Sequence, residues 1–237
     1  MNCTNCDTEI HTAYCPNCGQ PAHVKRINSH YLVHEIEHVL HFEKGILFTI
    51  RELLTRPGEN VRRFISENRS RLVKPIIFII VTSLVYSLVS HFFHIESSTM
   101  QVGEAKPSAA DHIMKWVQDH YGYSNIIMGV FIAQWIRLFF RKYDYNVFEI
   151  LILLCFVMGM GMLFSALFAI IQGLTHIGLT QVGSFVGVVY CTWAIGQFFD
   201  KKKAASYLKA FAAYVLGMIT FMLIVILLGA SIDLILA

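Results

Sequence analysis

The sequence predicts an all-α polytopic membrane protein with a small metal-binding module at its N-terminus. Three observations carry that expectation. Mean hydropathy is +0.54, with 55% hydrophobic and only 15% charged residues, a balance far from that of a soluble domain. Beyond residue 74 the chain is dominated by apolar runs long enough to cross a bilayer. Ten of the nineteen Lys and Arg precede the first of those runs, an asymmetry that bears on orientation in a membrane more than on nucleic acid. Met1 is followed at once by polar residues and cysteines. No cleaved secretory signal is therefore expected, and the N-terminus is expected in the cytoplasm.

Residues 1–24 form the cysteine module. Cys3 and Cys6 make one Cys-x-x-Cys pair and Cys15 and Cys18 a second, separated by eight residues. In a reducing compartment such a pair of knuckles reads as a metal site rather than a disulfide framework. A tetrahedral zinc with four thiolates leaves no position for water or substrate, so the expected role is structural. A module this short buries too little to fold alone, and metal would supply its folding free energy, on the order of 10 kcal/mol. Redox chemistry or iron binding is the alternative. Cys155 and Cys191 stand singly in apolar runs and read as small hydrophobes.

Residues 25–74 are polar, basic and helical in pattern. His30, His34, His38 and His41 fall at spacings of four, four and three, one face of a helix whose other side carries Leu32, Val33, Ile36, Val39 and Leu40. That face is a candidate second metal or pH-sensing site; the plain alternative is a polar surface. Within it His34-Glu35-Ile36-Glu37-His38 matches HExxH, the zinc-protease pattern. The match is discounted, because the helix precedes the first span and no apolar run supplies an obvious acidic partner. Further on, Arg62, Arg63, Arg69, Arg71 and Lys74 are interleaved with apolar residues, and Pro57-Gly58 marks a turn between two short helices. Basic residues beside a span engage lipid headgroups, whereas nucleic acid is not expected, since no aromatic stacking platform accompanies them.

Residues 75–237 read as five spans, at about 75–93, 126–140, 147–171, 179–199 and 210–236. The second is the shortest and carries Gln134 and Arg137, the latter near enough to the end to snorkel. Charge supports the count. With the N-terminus inside, the cytoplasmic side holds every Lys and Arg except Lys106 and Lys115, whereas a four-span reading would put Lys201, Lys202 and Lys203 outside, against the positive-inside tendency. The C-terminus is then on the side opposite the N-terminus. Between the first two spans, Ile113, Trp116, Val117, His120 and Tyr121 predict a short amphipathic helix at the outer interface.

The two cysteine knuckles ending in Cys15-Pro16-Asn17-Cys18-Gly19-Gln20, the segment Phe42-Glu43-Lys44-Gly45, then Leu53-Leu54-Thr55-Arg56-Pro57-Gly58 and Lys74-Pro75 together resemble bacterial membrane proteins grouped as domain of unknown function 3667. Tyr145-Asn146-Val147-Phe148-Glu149 also fits that pattern, while Asn68-Arg69-Ser70-Arg71 departs from it. The resemblance implies a bacterial inner-membrane location and no established activity. A looser likeness in topology is to the Yip family of trafficking proteins.

The function expected is that of a non-enzymatic membrane protein whose zinc module and basic helices form a cytoplasmic platform for a protein partner or lipid headgroups. One alternative is a small transporter, in which Gln134, Arg137, Glu149, Gln172 and the glycines of the third and fourth spans would line a polar path. A second is a zinc-dependent membrane hydrolase using His34, Glu35 and His38.

Overall fold

The computed structural model describes residues 2, 6, 8, 9, 11, 13–18, 45–69, 71–93 and 108–236. Cys3, the four histidines of the His30–His41 face and Glu35 lie outside them. The chain divides into two compact units, Met1–Glu43 and Lys44–Ala237. Helices are the only extended elements among the described residues, and the smaller unit contributes an isolated antiparallel bridge between Asn2 and Glu9.

The larger unit consists of α1 (Ile46–Thr55), α2 (Pro57–Ser66), α3 (Pro75–Phe92), α4 (Ala109–Asp119), α5 (Tyr121–Phe139), α6 (Val147–Thr175), α7 (Thr180–Asp200) and α8 (Ala204–Leu236). Four of these, α3, α6, α7 and α8, are long and apolar enough to cross a membrane. Helix α5 has 19 residues, but Ser124, Asn125, Gln134 and Arg137 dilute its apolar character. It nevertheless packs along α8 and against α6, with Ile132, Ala133 and Ile136 fully buried and the Trp135 indole donating to Thr220 Oγ1 at 3.0 Å.

Several boundaries differ from the hydropathy reading because helices continue past the apolar stretch. Helix α8 begins at Ala204 rather than near residue 210, and Tyr207 in its first turn closes against Gly196 of α7. Helix α6 runs on to Thr175, where His176 adopts a left-handed conformation, φ 57°, a frequent way to end a helix. The turn read at Pro57-Gly58 falls one residue earlier. Arg56 breaks the chain, with φ −143° and ψ 62°, and Pro57 is the first residue of α2, where its missing N–H costs nothing.

The directions of the helices follow from the residues that meet. The Phe78 and Phe156 rings lie 5.7 Å apart, Gly159 faces Phe78 and Thr82, and Gly173 faces Phe93. Positions on α3 and α6 thus advance together, and the two helices are parallel. By the same reasoning α6 and α7 are antiparallel, since Gly161 meets Gly187 while Phe168 meets Gly183. Ile76, Ile80, Leu84, Leu88 and Phe92 recur every fourth residue on the exposed side of α3, an apolar stripe suited to lipid.

Candidate metal centre and the basic end of the bundle

In the smaller unit the Sγ atoms of Cys6, Cys15 and Cys18 all lie within 4.8 Å of one another. Cys6 and Cys15 are 3.5 Å apart, and no disulfide joins any described cysteine. Thiolates on a tetrahedral zinc, each about 2.3 Å from the metal, sit roughly 3.8 Å apart, so this cluster has the dimensions of three ligands of one ion. Cys15 is buried and Cys18 exposed. Cys6 Sγ donates to Thr8 Oγ1 at 3.4 Å, and hydrogen bonding of the ionised sulfur with the Thr8 side chain and then the Thr8 backbone holds the Cys6 thiol down at about 6. That favours the thiolate, the form in which sulfur binds metal.

The larger unit gathers most of its basic residues at one end. Phe140, at the end of α5, stacks on Phe199 of α7 with centroids 3.9 Å apart. The two helix ends are therefore neighbours, and with them Arg137, Arg141 and Lys142 come beside the turn holding Lys201, Lys202 and Lys203. The α1–α2 hairpin is built into this same end. Leu53 and Val61 are fully buried, and Phe64 meets Phe156 edge-on at 5.3 Å. Gly58 lies so close to α7 that a Cβ there would be 2.4 Å from the Phe198 backbone nitrogen. Its own N–H donates to Gln197 Oε1 at 2.8 Å. Deeper in, Tyr190 Oη donates to the Leu53 carbonyl at 2.9 Å, about 15 Å along α7 from Asp200.

Within the hairpin the connections are equally specific. Asn60 Nδ2 donates to the Glu52 carbonyl at 2.8 Å, which also accepts the Arg56 N–H at 3.0 Å, so the side chain ties α2 to the last turn of α1. Val73 N–H donates to Thr49 Oγ1 at 3.1 Å. Of the basic residues read as headgroup contacts, Arg63 pairs with Glu59 at 2.8 Å and Arg71 with Glu52 at 2.6 Å. Arg69 and Lys74 are exposed, and Arg62 is half-buried. Arg62 is close enough to Tyr145 to oppose the upward shift that burial gives its phenol.

Two of the four polar residues considered for a transport path sit at opposite ends of α6. Glu149 and Asn146 cap α6 reciprocally, Glu149 Oε2 accepting from Asn146 N at 2.8 Å and Asn146 Oδ1 accepting from Glu149 N at 2.9 Å. At the other end of α6, Gln172 Oε1 accepts from the backbone of Leu179 and Thr180 and from the Thr180 hydroxyl, at 2.7, 2.9 and 2.7 Å. Both residues satisfy helix termini, about 35 Å apart along the helix. Gln134 and Arg137 instead line a cavity of about 670 Å³ at the basic end.

Sequence reasoning did not single out Gln197, Tyr190 or that cavity. A glutamine among the apolar residues of the last turns of α7 was the available signal for the first, because a polar group so placed needs a partner. No curated protein and no solved structure matches the chain. Residues 43–87, the segment containing α1, α2 and most of α3, match the family model described as Protein of unknown function (DUF3667), in agreement with the resemblance carried by the Arg56-Pro57-Gly58 and Lys74-Pro75 motifs.

Proposed function

We propose that this is a non-enzymatic integral membrane protein of a bacterial inner membrane, whose basic end is a cytoplasmic platform for a protein partner or lipid headgroups. The observation that carries the reading is the docking of the α1–α2 hairpin. Gly58, Leu53 and Phe64 lock the hairpin of the family-matched segment onto the end of the bundle that also bears Arg137, Arg141 and Lys201–Lys203. Such an end is a fixed basic surface rather than a loose tail, and positive charge of this kind belongs on the cytoplasmic side.

Five spans fit this reading better than four. Helices α3 and α6 are parallel, and a chain can enter two parallel crossings only by returning between them; α5 is the segment available for the return. The N-terminus is then cytoplasmic and the C-terminus on the opposite face. The cysteine module is a structural zinc ribbon in which Cys3 joins Cys6, Cys15 and Cys18 as the fourth ligand. Zinc there supplies folding free energy and no catalysis.

Photo-crosslinking residues placed at Arg56 and Arg69, both exposed on the hairpin side, test the platform in living cells. Adducts with protein or phospholipid headgroups are expected at both positions and not at Leu84, on the lipid-facing stripe of α3. Their yield should fall in the Cys15→Ser, Cys18→Ser variant. Equal labelling at all three positions would dispose of the platform.

A further inference from the structure

The cavity at the basic end lies between the last turns of α5, the 140–146 connection, the start of α6 and the end of α7. Gln134, Arg137, Arg141, Tyr143, Asp144 and Tyr145 supply its polar lining, and Leu138, Phe140, Ile150 and Phe199 its apolar wall. Arg137 in the last turn of α5 and Arg141 in the turn that follows the helix both line this cavity. Among the described residues neither arginine has an ion-pair or hydrogen-bond partner, in contrast to Arg63, Arg71 and Lys203, which all do. Lys203 stands close to Tyr143 at the margin, with its charge already met by Asp200 at 2.9 Å.

We propose that this cavity binds the phosphodiester of an anionic phospholipid. Two free guanidiniums in its lining match the oxygens of a phosphate, which arginine can engage in bidentate fashion. Asp144 makes the choice of phosphate narrower. Two guanidiniums against one carboxylate leave a single positive charge, which suits a singly charged phosphodiester better than a phosphomonoester or a nucleotide. Gln134 and the two tyrosines offer partners to headgroup hydroxyls. The stacked Phe140 and Phe199 rings, with Leu138 at the surface, provide the apolar side that a glycerol and the start of an acyl chain require. Basic pockets between spans are known places for such headgroups.

The inference deepens the platform reading, from which it takes the lipid alternative, but its test in detergent is independent of orientation or of any protein partner. Full-length protein is titrated with phosphatidylglycerol, phosphatidylethanolamine and inorganic phosphate, and bound lipid is counted by native mass spectrometry. Wild type should prefer phosphatidylglycerol, and Arg137→Gln with Arg141→Gln should weaken that binding about tenfold or more. Lysine at both positions should restore part of it, which separates loss of charge from loss of fold. Lys115→Gln with Lys209→Gln removes the same charge outside the cavity and should leave binding intact. Equal loss in the Lys115, Lys209 pair, no preference over phosphatidylethanolamine, or displacement of the lipid by equimolar inorganic phosphate would each overturn the proposal.

Discussion

Three sulfurs gathered within 4.8 Å of one another could hold a metal ion. One zinc per chain is expected by elemental analysis of the purified protein, lost when Cys15 and Cys18 are both replaced by serine. Two zincs, or one that survives the double substitution, would move the metal to the His30–His41 face and revive the HEIEH reading. The cysteine spacing made this centre legible in the sequence, because each Cys-x-x-Cys turn brings its pair of sulfurs together without tertiary help. Thr8 was not legible. Its effect on Cys6 comes from a hydroxyl 3.4 Å from the sulfur, a matter of local backbone geometry that residue spacing alone does not encode.

At the scale of elements, the α1–α2 hairpin shows where sequence reading stops. Its basic and apolar residues gave its helicity and its break, yet its depth in the bundle depends on Gly58 and Gln197, which are 139 residues apart in sequence. Contact of that kind follows from backbones approaching closely, and only a glycine at that place in α2 lets them do so. Gly58→Ala would drive a methyl group into the backbone at Phe198 and pull the Gly58 N–H from Gln197. Overpacking of this sort costs about 1–3 kcal/mol. The expected result is a lower unfolding temperature in detergent, together with faster tryptic cleavage at Arg51 and Arg62 as the hairpin lifts. A variant with unchanged melting and unchanged cleavage would mean that the hairpin is not held there. Helix α8 begins before, and α6 ends after, the apolar runs read from sequence for a related reason. Hydropathy records where side chains prefer lipid, whereas helices stop where capping groups stop them, as Gln172 and His176 show.

The whole molecule turns on the direction of its helices. In a four-span protein lacking α5, α3 and α6 would be successive crossings and hence antiparallel. The pairs Phe78 with Phe156 and Phe93 with Gly173 run the other way. The opposite end of the bundle agrees, for Asp233 near the end of α8 accepts from the Ala109 N–H at 2.9 and 3.2 Å and so meets the start of α4. A carboxylate there satisfies an orphan donor and complements the helix dipole. It also ties the α4 connection to the end of the chain, on the face away from Arg137 and Lys202. Charge counting from sequence leads to the proposal of five crossings, since the positive-inside tendency needs only the positions of Lys and Arg. Single cysteines at Lys115, Lys142 and Lys202 put the matter to a direct measurement with a membrane-impermeant maleimide. Lys115→Cys should react in intact cells, and Lys142→Cys and Lys202→Cys only once the membrane is opened. Positions 115 and 142 are separated by α5 alone among the candidate crossings, so their labelling from the same side would remove α5 from the membrane. The parallel pairing of α3 with α6 would then require a return of the chain outside the bilayer.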